Sequence, residues 1–260
     1  MYDVHIFPQN AQNMELILIR HGQADSAGDN YDQLTVTGHE QARRVGAWLA
    51  ANGYGFDRLL HGGLNRQRLT LDAIAAELAK SGANMPAMEI HSSFAEFDLR
   101  VWGVVAASMR HGHPEFTELF KQWNHARHGN APNKGDIFKQ LTGHILKAWV
   151  AAGEGFTEAE SFPAFQKRVL AAMEIHSYAG QPMVRQAKAA EKHSYLAVTS
   201  GGPISLLVGQ TLGLDLVRTL GLMRRIANTS IHHLVFENGG WHVAGFNMVP
   251  HLSLSERTLV

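Results

Sequence analysis

Short apolar runs rich in β-branched residues alternate with amphipathic helical patterns along the first ninety residues of the chain. The first run, Glu15-Leu16-Ile17-Leu18-Ile19, is continuously apolar after its first residue and predicts a strand buried on both faces. Residues 56–60 and 88–91 predict two further strands, with a helix over residues 64–80 between them. Because strands joined by helices pair in parallel, the alternation predicts an α/β fold: a mostly parallel central sheet with helices on both faces.

The helix after the first strand has recognisable signals at both ends. Thr37 is the expected N-cap and Glu40, three residues later, its capping-box partner. Asn52-Gly53 then predicts the end of the helix.

The second half of the chain changes character twice. Residues 104–192 carry helical patterns without strands, which predicts an inserted helical cap within a single domain over residues 1–260. Strand character returns at residues 195–199. Residues 231–237 and 241–246 flank the turn signal Asn238-Gly239 and predict a C-terminal hairpin at a sheet edge.

Charge and composition exclude several classes of protein. Lys plus Arg equals Asp plus Glu, 23 against 23, so no global positive field favours nucleic acid. The chain has no cysteine, which excludes disulfides, thiolate catalysis and cysteine-ligated zinc. No signal-peptide pattern and no run of 18 apolar residues is present. We therefore expect a cytoplasmic protein with neither membrane nor nucleic-acid partners.

Two glycine-containing segments follow predicted strands directly. Arg20-His21-Gly22 follows the first strand, and Ser200-Gly201-Gly202 follows the strand at residues 195–199. Ligands of open parallel sheets bind beyond the carboxyl ends of the strands. Arginine offers a two-pronged donor, a helix N-terminus offers free backbone amides, and glycine lets the backbone approach closely. The two segments together predict a phosphate site, in which His21 is a candidate nucleophile.

Several motifs, taken in order, resemble those of the histidine phosphatase superfamily, also called phosphoglycerate mutase-like proteins. The resemblance extends from about Glu15 to Leu252 and is carried by the following segments: Leu16 through Arg20-His21-Gly22, Leu34-Thr35-Val36-Thr37-Gly38-His39-Glu40-Gln41-Ala42, Leu64-Asn65-Arg66-Gln67-Arg68-Leu69-Thr70, Phe94-Ala95-Glu96-Phe97-Asp98, and Glu160-Ser161 with Arg168.

This resemblance implies a covalent mechanism on a small phosphorylated molecule or phosphoprotein. His21 would be phosphorylated transiently, while Arg20 and Arg66 neutralise the phosphoryl oxygens. Glu96 would protonate the leaving oxygen and then activate water. Gly201 is a further phosphate-binding candidate at the start of a helix. No metal or other cofactor is implied, because the arginines supply the positive charge.

Ser200 departs from the family pattern, which usually has a second catalytic histidine at this position. Serine keeps a hydrogen-bond donor but carries no charge, so reduced activity is expected. His91 and His251 are candidates to compensate. The leading hypothesis is a metal-independent phosphatase of modest rate, and the alternative is a phosphoester-binding protein with vestigial catalysis. A phosphoglycerate mutase ranks below both, because Gln23-Ala24-Asp25 and the cap differ from the glycolytic mutase pattern.

Individual positions have alternative interpretations. Arg68 competes with Arg66, Asp98 competes with Glu96, and Ser200 suits a simple helix cap. Two histidine pairs, His111 with His113 and His232 with His233, lack the spacing or carboxylate partners of a metal site, so none is predicted. The sequence specifies neither the substrate nor the oligomeric state.

Overall fold

The computed structural model describes residues 13–25, 32–82, 84–98, 100–110, 112–126, 132–180 and 193–259. These residues form six strands and eight α-helices, together with three 3₁₀ segments at Ser92–Phe94, Ala171–Gly180 and Leu254–Glu256. The order is β1 (Met14–Arg20), α1 (Val36–Ala51), β2 (Arg58–His61), α2 (Asn65–Lys80), β3 (Met88–Ile90), α3 (Arg100–Arg110), α4 (Pro114–Ala126), α5 (Lys134–Ala152), α6 (Phe162–Leu170), β4 (His193–Thr199), α7 (Gly201–Thr211), α8 (Leu216–Met223), β5 (Ile231–Glu237) and β6 (Gly240–Met248).

The strands form one sheet in the order β3-β2-β4-β1-β5-β6. The first four are parallel, whereas β5 runs antiparallel to β1 and forms a hairpin with β6. The predicted α/β class, with a mostly parallel sheet, is confirmed, and the hairpin occupies the predicted place at the sheet edge. In the parallel register of β1 and β4, Arg20 lies opposite Thr199. The residues that follow each strand, His21 and Ser200, therefore leave the sheet at the same edge.

Both faces of the central strands are covered. Ile17 and Ile19 of β1 pack in a core cluster with apolar residues of α1 and α2, including Val45 and Leu71. Successive strand side chains point to opposite faces, so Leu16 and Leu18 face the other way, and they too are fully buried. This two-sided burial explains why β1 is continuously apolar rather than alternating.

The described parts of the chain group into two compact units, Met1–Glu96 with Val169–Val260 and Phe97–Arg168. The second unit is helical and contains α3, α4 and α5. Its core is aromatic: the buried Trp149 packs on the rings of Phe97, Phe162 and Phe165. The cap predicted over residues 104–192 overlaps this unit and stays a prediction, and its residues 111, 127–131 and 181–192 lie outside the described residues.

The start of α1 differs from the prediction. Thr35, not Thr37, is the N-cap, and its hydroxyl accepts the backbone N–H of Gly38 at 3.0 Å. Glu40 forms ion pairs with Arg43 and Arg44 instead of closing a capping box. Two threonines stand two residues apart, so either could cap the helix by its sequence signal. Thr35 is favoured because its backbone N–H also donates to the carbonyl of Gln23, which fixes it before the first turn.

Candidate active site

His21 lies immediately after β1 and its side chain is 3% exposed. Its backbone N–H donates to the carbonyl of Thr199 at 2.9 Å, and the Asn228 side-chain amide donates to its carbonyl at 3.1 Å. Gly22 follows at a tight crossing, where an added Cβ would lie 2.4 Å from the carbonyl oxygen of Gly38. The backbone around His21 is thus fixed on both sides, which restricts the position of its ring.

The hydrogen bonds of the His21 ring define its tautomer. Nδ1 lies 2.8 Å from the carbonyl oxygen of Gly22, and Nε2 lies 3.2 Å from Nε of Arg66. A carbonyl only accepts and a guanidinium only donates, so Nδ1 carries the proton and Nε2 carries the lone pair. Nε2 is therefore the atom able to act as a nucleophile.

The pKa of His21 is held well below its ordinary value. Burial contributes most, followed by the positive charges of Arg66 and Arg20, while the bond to the Gly22 carbonyl acts weakly in the opposite direction. The imidazole is consequently neutral at neutral pH, which is the form that attacks phosphorus.

Arg66 stands in the first turn of α2 and faces His21. In addition to the bond to His21, its Nη1 donates to Asp32 Oδ1 at 3.0 Å, and its side chain is 3% exposed. Arg68, the competing candidate, lies at the surface and pairs with Asp72 and Asn65. The structure therefore brings Arg66, and not Arg68, to the candidate nucleophile.

Arg20 is buried and tied to two distant parts of the chain. Its Nη1 donates to the carbonyl oxygens of Ile226 and Leu259, both at 2.5 Å. These bonds hold the guanidinium close enough to His21 to lower its pKa. Arg20 therefore also links the end of β1 to two distant backbone carbonyls, a role that its motif did not indicate. Its contact with phosphate stays a prediction.

Glu96 lies against the first turn of α7. Its Oε2 accepts the backbone N–H of Gly202 at 3.0 Å, a position where the helix dipole favours a negative charge. An added Cβ at Gly202 would lie within 2.2 Å of Glu96 Oε1, so glycine is needed for this contact. Asp98, the competing acid, instead accepts hydrogen bonds from the backbone and side chain of Arg100.

Ser200 occupies the N-cap position of α7 and is 2% exposed. Its hydroxyl makes no capping bond and instead accepts from Gln67 Nε2 at 3.0 Å. The simple capping role considered for this side chain is therefore not seen. Next to it, an added Cβ at Gly201 would meet only the side chain and carbonyl of Met223, at 3.3 and 3.4 Å.

The two histidines considered as candidates to compensate for Ser200 have different surroundings. His251 Nε2 lies 2.9 Å from the hydroxyl of Thr229, and burial lowers the pKa of His251 to about 4. Thr229 in turn donates its backbone N–H to the carbonyl of Arg20. His91 packs on the ring of Phe94, and its pKa is lowered by burial. In the described parts of the chain, neither histidine is hydrogen-bonded to Ser200, and a compensating role stays a prediction.

Sequence reasoning missed several residues of this site. Gln67, Asp32 and Asn228 each contact a predicted site residue, yet none belongs to a recognisable catalytic pattern. Gln67 had the best signal, since it lies beside Arg66 at the third helical position of α2. That position normally indicates a helix-capping side chain rather than a site residue.

The histidine pairs considered as metal ligands give no metal centre among the described residues, where no group of three or more His, Asp or Glu side chains is placed to hold an ion. His232 is fully buried and bonded to Ser230 and to the backbone N–H of Asn247. His111 lies outside the described residues. Over the same parts of the chain, we find no helix whose length and apolarity would allow it to span a membrane.

Solved structures of known phosphatases and mutases share this fold. The alpha-ribazole phosphatase of Shigella flexneri is 18% identical with a TM-score of 0.56, covering 91% of this chain and 97% of that one. Phosphoserine phosphatase of Entamoeba histolytica is 18% identical with a TM-score of 0.57, covering 92% and 100%. Phosphoglycerate mutase of Bacillus anthracis is 15% identical with a TM-score of 0.57, covering 94% and 97%. At these identities the likeness concerns the fold alone.

Sequence comparison identifies the family. No curated protein matches the chain significantly. The sequence profile of the histidine phosphatase superfamily (branch 1) matches residues 16–151 and 136–249, which together include both strand-end segments and every motif on which the resemblance rests. The chain therefore belongs to the histidine phosphatase superfamily.

Proposed function

We propose that this protein hydrolyses a phosphomonoester through a phosphohistidine at His21. The observation that carries the proposal is the ring of His21, buried and neutral, with its Nε2 lone pair directed at Arg66. Membership of a superfamily whose solved relatives are phosphatases and mutases supports the same reaction class.

The reaction has two balanced steps. In the first, Nε2 forms a bond to phosphorus and the bond from phosphorus to the ester oxygen breaks. Glu96, which has to take up a proton beforehand against the preference of the helix N-terminus for its anion, gives that proton to the departing alcohol. In the second, the Glu96 carboxylate takes a proton from water, the resulting hydroxide attacks phosphorus, and the bond to Nε2 breaks to release inorganic phosphate. The histidine and the carboxyl group return to their starting forms.

Arg66 has to change partners during this cycle. In the free protein its Nε donates to Nε2 of His21, which is the lone pair required for attack. A bound phosphoryl group offers several anionic oxygens and so competes well for that donor. Transfer of the Arg66 hydrogen bond to phosphate would release the nucleophile and neutralise the phosphoryl oxygens in one movement.

Charge compensation in this scheme comes from side chains. Arg66 and Arg20 lie close enough to His21 to depress its pKa, so the same two charges are near a phosphoryl group bound to Nε2. Cations already placed in a buried site stabilise a developing negative charge more strongly than the same groups would in water. We therefore propose metal-independent turnover of a small phosphorylated molecule or phosphoprotein.

Steady-state hydrolysis of p-nitrophenyl phosphate and a panel of natural phosphomonoesters, measured with a chelator present, tests the proposal. We expect slow turnover that His21→Ala abolishes and that the control His242→Ala, an exposed position on β6, leaves intact. Turnover by His21→Ala at the wild-type rate, or loss of all turnover on chelation, would contradict it. A mutase assay with phosphoglycerate is expected to give no isomerised product.

A second candidate function is phosphoester binding with vestigial catalysis, and Ser200 is the observation that favours it. Loss of one strong transition-state donor costs about 10²- to 10³-fold in rate. Calorimetric titration with inorganic phosphate separates the two functions. Binding of phosphate without turnover on any substrate of the panel supports the binding protein, and measurable turnover removes it.

A further inference from the structure

Gln67 is a fully buried polar side chain that connects three parts of the candidate site. Its Oε1 accepts the backbone N–H of Leu64 at 3.3 Å. Its Nε2 donates to the carbonyl of Phe94 at 3.3 Å and to the hydroxyl of Ser200 at 3.0 Å. Phe94 lies two residues before Glu96, so one amide contacts both the acid-bearing segment and the residue that replaces the usual histidine.

The two backbone partners fix the orientation of this amide. The N–H of Leu64 only donates and the carbonyl of Phe94 only accepts, so the oxygen and the nitrogen of Gln67 cannot be exchanged. Nε2 therefore faces Ser200 and acts as the donor. It follows that the Ser200 oxygen is the acceptor in this bond.

The bond leaves the hydroxyl proton of Ser200 available. A serine hydroxyl has one proton and two acceptor lone pairs, and Gln67 occupies a lone pair. Among the described residues, no group accepts the proton. Ser200 is 2% exposed, so bulk water gives little compensation for an unused donor. A buried hydroxyl in this state is prepared to donate to an acceptor that enters the site.

The place of Ser200 in the fold indicates what that acceptor is. Ser200 follows β4 and His21 follows the neighbouring β1, and His21 N–H is bonded to the carbonyl of Thr199 directly before Ser200. A phosphoryl group attached to Nε2 of His21 would present anionic oxygens at this edge of the sheet. Its oxygens are the strongest acceptors expected there.

We propose that Gln67 is a positioning residue that holds Ser200 with its hydroxyl proton directed at a phosphoryl oxygen, so that Gln67 and Ser200 act together as a neutral substitute for the missing histidine. This inference rests on the proposed phosphoryl transfer at His21. It assigns to Gln67 a role that acts through Ser200 and requires no direct contact with the substrate.

The same geometry has a steric consequence for restoring the histidine. The Gln67 amide nitrogen is 3.0 Å from the Ser200 oxygen, so a longer side chain that follows the direction of the serine hydroxyl would meet it. Ser200→His alone is therefore expected to be less active than the wild type. Ser200→His combined with Gln67→Ala removes the obstruction and is expected to exceed Ser200→His by about tenfold or more.

A double-mutant cycle tests the positioning role. Gln67→Met keeps the side-chain length without the hydrogen bonds, and Ser200→Ala removes the hydroxyl. We expect each to lower kcat and the affinity for inorganic phosphate by about tenfold, and the double variant to lose no more than either one. Losses that multiply to about a hundredfold in the double variant would show independent roles and overturn the proposal. Thermal melting of each variant separates these effects from a loss of stability.

The measurements also separate this inference from the proposed function. Phosphate affinity needs no turnover, so a non-additive cycle in the dissociation constant supports the Gln67–Ser200 pair even if no substrate is hydrolysed. If the protein hydrolyses substrate but the losses of the two single variants multiply in the double variant, the joint role of Gln67 and Ser200 is overturned while the proposed phosphatase activity stands. A wild-type protein that neither binds phosphate nor turns over overturns both. If Gln67→Met fails to fold, equal activities of Ser200→His with and without Gln67→Ala overturn the inference.

Discussion

The ends of β1 and β4 lie side by side at the same edge of the sheet, yet they contribute different chemistry. Beyond β1, His21 is surrounded by guanidinium groups and has no charge of its own. Beyond β4, Ser200 and Gly202 offer only neutral groups: the Ser200 hydroxyl accepts from Gln67, and the Gly202 backbone N–H donates to Glu96. The comparison teaches that positive charge and the proposed nucleophile lie at one strand end, while the backbone and hydroxyl groups of the other are uncharged. Changes at the β1 end should therefore affect catalysis more than changes at the β4 end.

Alanine at the first residue beyond each strand gives the largest expected contrast. His21→Ala removes the proposed nucleophile and is expected to lower kcat/KM by about 10⁴-fold or more, as for other covalent catalysts. Ser200→Ala removes one neutral donor and is expected to cost about tenfold. Steady-state kinetics on a common substrate measures both. Equal losses of kcat/KM in the two variants would show that the two strand ends do not differ in their importance for catalysis.

The charge at the β1 end can be tested with two arginines of α2. Arg66→Ala removes the donor that contacts His21 and is expected to reduce kcat by about 10²- to 10³-fold. Arg68→Ala, two residues along the same helix but at the surface, is the matched control and should change kcat less than about twofold. A larger loss from Arg68→Ala would contradict the assignment of Arg66.

The glycines beyond the two strands should differ in their tolerance of a methyl group. Gly22→Ala forces a Cβ to within 2.4 Å of a backbone oxygen and is expected to destabilise the fold by about 1–3 kcal/mol. Gly201→Ala meets mainly the flexible Met223 side chain at 3.3 Å and should cost less. Urea denaturation of both variants measures the difference. A Gly201→Ala variant less stable than Gly22→Ala would contradict the expected order of the two glycines.

Acid sensitivity is a second expected effect on stability, and it belongs to the β1 end. His232, paired with Leu18 of β1, has its pKa lowered to about 3 by burial and then by the charge of Arg20. The unfolded chain binds a proton near pH 6.5 while the folded chain does not, so this stability is complete above that pH and decreases as the pH falls. The loss between pH 7 and 5 is about 2 kcal/mol for this group.

Urea unfolding of the wild type and His232→Gln at pH 7 and pH 5 checks this effect. The wild type should lose about 2 kcal/mol more than the variant over the interval. An identical pH dependence in both proteins would exclude His232 as the source of the acid sensitivity.

The sheet was predictable because its signals are local. The apolar runs of β1 and β4, and the Asn238-Gly239 turn between β5 and β6, each need only a few neighbouring residues. The error at the start of α1 is also local in origin, since Thr35 and Thr37 carry similar capping signals and loop contacts decide between them.

Within the candidate site, the sequence pointed only to residues that belong to a recognisable motif. Arg66 was predicted through the resemblance of its segment, and the structure places it against His21, 45 residues away in sequence. The bond between Gln67 and Ser200 joins residues 133 apart, and the bonds from Arg20 to Ile226 and Leu259 span 206 and 239 residues. No periodicity or spacing in a single sequence specifies such side-chain contacts, because tertiary packing alone brings the partners together.

Direct trapping of the phosphoenzyme tests the central claim that His21 is the nucleophile. The protein is mixed rapidly with a phosphomonoester carrying labelled phosphorus, denatured in alkali to preserve phosphohistidine, and digested for mass spectrometry. We predict label on the peptide that contains His21, retained in Ser200→Ala and absent in His21→Ala. Turnover without label on that peptide, or label that persists in His21→Ala, would contradict the account.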